Sequence, residues 1–418
     1  MRKYLPSWIY RALANLKWIA AGNYITTIIQ FAASIFIVRF LGAEDYGRWA
    51  SAVAFVAFFS ILTFPGVGSV LVREASHGFK EWKYAFEQLV PFRYIFIFST
   101  ILICILTSFF APYDSEVKYI IIVLSFNLFI GQMGNTFKTG LSGAEKFKTI
   151  AIVNVITKIS YVVPVLVLLY YGYGLMGLLI ASMASSLLCL LLFYNDVKKY
   201  VEVKFLSEIK FNKELLRQSF TYTTIQTIRT MATRVDVLVV SFLAAPIEVG
   251  YYALASRMNI NFDLLRKVSG SSTYPMTVQR FRKGPVKKIF LLKYALFFFI
   301  IVFSASFIAG FYVKDLVVIL FGEEFQTTGK LLEVLIFYQA FAWGYLPFTH
   351  ATQATYNESV ALYAGSLAAI LNVPLNIIFY SMFGLIGIAY STLCVYGISN
   401  SLGAAIIFRR LSREGHLV

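Results

Sequence analysis

Charge is scarce in this chain: only 14% of its 418 residues are Asp, Glu, Lys or Arg, whereas 59% are apolar. Soluble proteins average roughly a quarter charged and half apolar. A water-soluble globule cannot hide so much apolar surface, so that class is excluded. Cysteine is rarer still. Cys104, Cys189 and Cys394 all fall inside apolar stretches, where they read as small packing residues rather than a disulfide framework or a metal site. No phosphate-cradling Gly-Lys-Ser/Thr loop and no paired Cys or His ligand set occurs, so ATP hydrolysis and metal chemistry lack residues. His77, His350 and His416 read as loop or terminal residues.

Long apolar runs are what the chain does contain. A bilayer core takes about 20 mainly apolar residues per helix, and the runs place spans near 17–40, 47–72, 89–111, 118–138, 149–170 and 174–194. A second six follow near 216–244, 249–275, 289–312, 328–349, 359–381 and 384–408, with the second, seventh and eighth too polar to stand on hydropathy alone. The fold class expected is an all-α polytopic membrane protein of about twelve transmembrane helices. Residues 1–16 read as a basic interfacial helix, with Arg2, Lys3 and Arg11 around Trp8, Ile9, Tyr10 and Leu13. No small-residue cleavage site follows it, so it does not read as a signal peptide.

Lys and Arg flanking the spans gather on the cytoplasmic side of membrane proteins. With the N-terminus inside and span-edge residues counted with the adjacent loop, 26 of the 37 Lys and Arg lie inside, five outside and six within spans. Both termini are therefore expected to be cytoplasmic. The net charge of +16 then serves mainly to orient the chain against anionic membrane lipids. The basic residues are scattered over loops rather than gathered in one module, which argues against nucleic acid as a partner.

Two stretches recur. Phe40-Leu41-Gly42-Ala43-Glu44-Asp45-Tyr46-Gly47-Arg48-Trp49-Ala50 returns, with one insertion, as Phe242-Leu243-Ala244-Ala245-Pro246-Ile247-Glu248-Val249-Gly250-Tyr251-Tyr252-Ala253. Pro164, Gly174, Leu175 and Gly177 return at a constant offset as Pro374, Gly384, Leu385 and Gly387. Gly and Pro recur in any helical membrane protein, but two ordered matches point to duplication of a six-helix unit. The expected division is an N-lobe over 1–205 and a C-lobe over 206–418, with the lobes related by an axis along the membrane normal.

Polar residues inside the spans are the candidate site. Asn23, Thr27, Gln30 and Ser34 step by four, three and four residues, which sets them on one face of the first span. In the seventh, Gln226, Arg229, Thr230, Arg234 and Asp236 interrupt the apolar run, and the other intramembrane charges are Lys158, Arg257, Asp263, Arg266 and Lys267. Charges in a span cost at least a few kcal/mol, so they normally face a cavity or a partner. Six cations against two acids leave a cationic interior, and Arg suits phosphate because its fork bonds two oxygens at once. Lys158, Arg229, Arg234, Arg257, Arg266 and Lys267 are the candidate substrate-binding cations, and Asn23, Thr27, Gln30, Ser34, Gln226 and Thr230 the polar lining. The competing reading is structural: Arg266 and Lys267 snorkel, and Arg234 pairs with Asp236. Asp263 can pair with Arg266 or Lys267. No apolar span of the first half holds an Asp or Glu, which a cation exporter would usually need there. Asp236 and Asp263 are the candidates for a coupling Na+ or H+; no other cofactor is expected.

These residues resemble the Wzx-type polysaccharide flippases of the MOP (MATE-like) exporter superfamily. The resemblance rests on Arg39 to Gly47, on Gly140-Leu141-Ser142-Gly143-Ala144-Glu145-Lys146-Phe147, and on Arg234-Val235-Asp236. It rests also on Val249 to Ala255 and on Leu320-Phe321-Gly322-Glu323-Glu324-Phe325. It implies two six-helix lobes in a cell membrane, and movement of a polyprenyl-pyrophosphate-linked oligosaccharide to the outer leaflet. The partners it implies are that glycolipid, a polysaccharide polymerase and glycosyltransferases. The related peptidoglycan-precursor flippases have two more helices; none is found here, so a tail groove built from them is not expected. Two alternatives stand beside it: a cation or drug antiporter of the same fold, disfavoured by the missing first-half acids, and a membrane glycan ligase or polymerase. The latter would need an acid or base in a large outer loop, and the longest, 313–327, offers only Lys314, Asp315, Glu323 and Glu324. A transporter, not an enzyme, is expected.

Overall fold

A computed structural model describes residues 7–201, 212–355 and 357–418, with side chains at all of these except 7–16, 229, 232–234, 264, 267 and 358–364. Among the described residues the chain is almost wholly helical. In order, the helices are α1 (Ser7–Phe59), α2 (Gly66–His77), α3 (Phe79–Phe110), α4 (Ser115–Gly143), α5 (Phe147–Tyr170), α6 (Gly174–Val197) and α7 (Lys213–Leu243). They continue as α8 (Pro246–Arg282), α9 (Lys288–Phe321), α10 (Gln326–Leu335), α11 (Tyr338–Ala354), α12 (Glu358–Phe383) and α13 (Leu385–Arg413).

Nine stretches of the described residues are long and apolar enough to cross a membrane. The first, Lys17–Thr63, carries the first expected span and much of the second. Helices α7 and α8 fall below that hydropathy, in keeping with their run of Thr, Gln, Arg and Asp. All twelve expected spans fall on helix, but two of them are broken. The second is interrupted at Phe64, which takes a left-handed conformation (φ 56°, ψ 56°) before Pro65; the residue preceding a proline is driven out of the α region. The tenth breaks at Ile336–Phe337, and the buried Ser306 of α9 donates to the carbonyl of Ile336 at 3.2 Å. Helix α1 runs from Ser7 straight into the first span, so residues 7–16 continue it; residues 1–6 of the expected interfacial helix lie outside the described residues. His350 corrects the loop reading given to it: it is buried within α11, its ring edge against Tyr274.

The chain forms two compact units, Met1–Gly42 with Phe55–Thr227, and Ala43–Ala54 with Ile228–Val418. The division differs from a cut at 205/206 because two short segments pack away from their sequence neighbours. In the first unit, the opening turns of α7 lie against α2: the Gly66 amide donates to Thr223 Oγ1 at 3.0 Å, and Phe64 and Phe220 rings sit 4.7 Å apart. Trp82, Phe86, Leu89, Ile97, Phe137 and Phe193 form its core.

In the second unit, three of the sequence motifs converge. Gly42 (φ 74°, ψ 175°) breaks α1 into two helical segments, a conformation open to glycine. The Ala43 amide freed by that break donates to Glu324 Oε1 at 2.8 Å. Four residues on, Gly47 crosses the start of α8 so closely that a Cβ there would fall on the carbonyl oxygen of Pro246, and a Cβ on Gly250 would fall on that of Ala43. The two copies of the repeat thus meet glycine to glycine, backbone on backbone. Tyr251 joins them to the third motif through the ring of Phe325 (6.1 Å) and through its carbonyl, which accepts from Thr328 Oγ1 at 3.2 Å.

The second repeated set is equivalent in structure as well. Pro164 lies inside α5 and Pro374 inside α12, and the following helices start at Gly174 (φ 48°) and just after Gly384 (φ 63°). At the far end of the chain, Val286 and Leu417 form an isolated parallel bridge over an apolar cluster of Leu291, Phe348, Ile407 and Leu411. Glu414 ties that tail to the α11–α12 connection, accepting from Asn357 Nδ2 at 2.6 Å and from Arg410 Nε at 2.9 Å. Those two bonds hold its carboxyl below the ordinary carboxylate range.

Candidate functional site

A cavity of about 390 Å³ opens inside the first unit between α1, α3, α4 and α5. Its size is that of small-ligand sites, roughly 300–1,000 Å³. The lining is rich in amides and hydroxyls (Asn23, Gln132, Asn135, Thr139, Ser142 and Asn154) around two cations, Arg93 and Lys138. Among the described residues no carboxylate lines it.

Arg93 is the unusual member. It sits fourteen residues into α3, is only 4% exposed, and one of its nitrogens, Nη2, donates to Gln132 Oε1 at 3.3 Å. Among the described residues its Nε and Nη1 have no hydrogen-bond partner. A buried donor left unmade costs about 1–3 kcal/mol, more on a charged group, and a buried cation normally has a counter-charge. Two open donors on a guanidinium that lines a polar cavity suit the oxygens of an anion such as phosphate or carboxylate. Chemically the arrangement can hold an anion; it offers neither a nucleophile nor an acid–base pair.

Of the residues singled out from the sequence, one lies at this cavity. Asn23 lines it, and Thr27, Gln30 and Ser34 continue the same stripe along α1, Ser34 being buried and bonded to the carbonyl of Phe31. Lys158 and Gln30 come together, Nζ to Oε1, at 2.9 Å. Arg93 and Lys138 were not among the candidates: the charge count assigns both to cytoplasmic span edges, Arg93 because hydropathy starts the third span near 89 and Lys138 because it closes the fourth. Helix α3 instead starts at Phe79, so Arg93 lies deep along it. The available signal was local: Arg93 is enclosed by Leu89, Val90, Pro91 and Phe92 on one side and Tyr94, Ile95 and Phe96 on the other.

The remaining candidates lie along α7 and α8. Gln226 is exposed and Thr230 half-buried; the side chains of Arg229, Arg234 and Lys267 lie outside the described residues. Arg257 is half-buried. Asp263 pairs with Arg266 through two bonds, 3.0 and 3.2 Å, so that cation is neutralised by its own helix. Asp236 is buried in the second unit, its Oδ2 accepting from Tyr252 OH at 2.9 Å, while that hydroxyl also meets Thr392 Oγ1 at 3.1 Å. Nearby helices carry further buried amides: Gln339 Nε2 donates to Asn259 Oδ1 at 2.9 Å, and Asn376 Nδ2 to Asn372 Oδ1 at 2.6 Å. Among the described residues no cluster of His, Cys, Asp and Glu could hold a metal ion.

Helices of this order and length form the fold seen in solved transporters of the MOP superfamily. The structure is similar to the lipid II flippase MurJ in an inward closed conformation (TM-score 0.74, 18% identity, covering 95% of this chain and 87% of that one). It is similar also to an inward-facing multidrug resistance MATE transporter (0.72, 16%, 94% and 98%). A third likeness is to a MOP transporter from Pyrococcus furiosus described as having a binding pocket of reverse polarity (0.56, 14%, 94% and 94%). No curated protein matches the sequence. Residues 12–281 match the family described as polysaccharide biosynthesis protein, well over half the chain, and the protein belongs to that family.

Proposed function

We propose that the protein is a flippase that carries a polyprenyl-diphosphate-linked oligosaccharide from the cytoplasmic to the outer leaflet of the cell membrane by alternating access. The observation that carries this reading is Arg93, buried with two open donors in a cavity that no carboxylate lines among the described residues. A diphosphate headgroup is the anion a lipid-linked glycan brings, and the surrounding amides of Asn23, Gln132, Asn135 and Asn154 suit sugar hydroxyls. Family membership supports the glycan, and the fold shared with a lipid II flippase supports the lipid carrier. A cation antiporter would usually need an acid in an apolar span of this half, and the sequence has none there.

Asp236 is the proposed coupling group for Na+ or H+, because its carboxylate is buried and accepts from the hydroxyl of Tyr252. Asp263 is the weaker candidate, being paired with Arg266. The polymerase and glycosyltransferases remain proposed partners, as the steps that consume and supply such a glycolipid. The test is replacement of Arg93 by Gln in a cell that depends on the protein for surface polysaccharide. Loss of the polysaccharide with normal membrane levels of protein is expected; unchanged output overturns the reading.

A further inference from the structure

The cavity of the first unit has two chemically different ends. Three helices run along it: α1 from Trp18 to Asn23, α5 from Phe147 to Asn154, and α4, read backwards, from Ser142 to Gln132. Contacts fix their register. Lys148 Nζ lies 5.5 Å from the centroid of the Trp18 ring, and a turn further on a Cβ on Gly22 would lie 3.0 Å from Ala151 Cβ. Only residues 144–146 join α4 to α5, which keeps Ser142 at the Phe147 end. Gln132 meets Arg93 at the other. At 1.5 Å per residue the ends lie about 10–15 Å apart along α5 and α4.

What each end can bind follows from its hydrogen bonds. Arg93 offers open N–H donors, which call for an anion. At the other end Thr139 Oγ1 donates to the carbonyl of Asn135 at 2.8 Å, and Ser142 Oγ to that of Thr139 at 2.7 Å. Both hydroxyl protons are therefore committed to their own helix, and lone pairs are what these oxygens offer a ligand. Lone pairs repel an anion and accept from a neutral hydroxyl. Beside them Trp18, 37% exposed, and the half-buried Phe147 line the cavity. An aromatic face is the negative part of its quadrupole and attracts polarised C–H groups. Hydroxyl donors at the rim and C–H groups on the face are the two features of a pyranose ring. A prenyl chain has no use for the acceptor oxygens. The amides between the ends both donate and accept, and serve either part of such a ligand.

We propose that Trp18, with Phe147, Thr139 and Ser142, forms a subsite for the first sugar of the carried glycan, set beyond the diphosphate at Arg93. The subsite rests on the reading of the protein as a carrier of diphosphate-linked glycans and adds to it where the sugar is recognised.

The experiment measures binding to the full-length protein in detergent. Its probes are inorganic pyrophosphate, a sugar-free polyprenyl diphosphate, and the same lipid bearing one glucose. Wild-type protein is expected to prefer the glucosylated lipid over the sugar-free one by about three- to tenfold. Trp18→Leu is expected to erase that preference while pyrophosphate and the sugar-free lipid stay within about twofold, and Trp18→Phe to keep part of it. Phe147→Leu is expected to reduce the preference, and serves where Trp18→Leu does not fold. The proposal is overturned by Trp18→Leu or Phe147→Leu with the full wild-type preference, and by a Trp18→Leu protein that binds all three probes more weakly to the same degree. Weaker binding of both lipids with pyrophosphate unchanged overturns it too, for the aromatic end would then hold the prenyl chain. Wild-type protein that binds pyrophosphate and both lipids without preference overturns the subsite and leaves the carrier reading standing. Wild-type protein that binds none of the probes overturns the functional reading, and the subsite with it.

Discussion

In the first unit the polar interior is built from Arg93, Lys138, Lys158 and a set of amides, with no acid in its apolar spans. In the second it gathers Asp236 under Tyr252 and Thr392, the closed Asp263–Arg266 pair, and the amides Asn259, Gln339, Asn372 and Asn376. The halves share repeated motifs, so the backbone did not dictate this difference; the side chains placed inside it did. On the proposed reading, the first unit takes an anionic headgroup and the second a coupling cation.

The largest expected effect breaks the first half of that contrast. Arg93→Glu should abolish flipping, Arg93→Gln should lower it by roughly 10- to 100-fold, and Arg93→Lys should fall between, since a point charge replaces a two-pronged donor. Transport into vesicles measures all three. Asp236→Asn tests the other half: flipping should slow by about tenfold and lose its dependence on Na+ or pH, while diphosphate affinity stays within about twofold. If affinity falls instead, the two units do not divide the work.

Stability variants test where the halves are pinned. Gly47→Ala or Gly250→Ala pushes a methyl group into backbone, not into a side chain that can turn away, and should cost about 2–3 kcal/mol, read as a lower melting temperature. Removing the carboxylate cap with Glu324→Gln should cost about 1 kcal/mol. The smallest effect concerns the tail. Glu414 is held below its ordinary value near 4.5 by Arg410 and Asn357, so its contribution is full above that value and vanishes as pH falls through the lowered one. Glu414→Gln should therefore melt slightly earlier at neutral pH, and at the same temperature as wild type in acid.

Most of the architecture was legible because lipid imposes a simple requirement: about 20 apolar residues in a helix whose backbone bonds are internal. The breaks at Phe64–Pro65 and Ile336–Phe337 were less visible, since apolar side chains continue across them and only Pro65 signals a stop. The acid-free first half was readable as composition, and Asn23, Gln30 and Lys158 as a stripe and a lone charge. Arg93 was not, because a cation near the apparent edge of a span is indistinguishable from an orienting charge until the true start of its helix is known. His350 failed in the same way: hydropathy marks it as an end, whereas α11 carries it into the core. The glycine crossing was hidden behind its own repeat, for sequence similarity reports duplication and not that the copies touch.

The central claim is tested most directly by reconstituting wild-type and Arg93→Gln protein in vesicles and measuring movement of a fluorescent polyprenyl diphosphate glycolipid between leaflets. The account predicts movement by the wild type and a fall of at least about tenfold in the variant. Equal rates in the two proteins would contradict it, as would wild-type vesicles that move a cationic dye and leave the glycolipid in place.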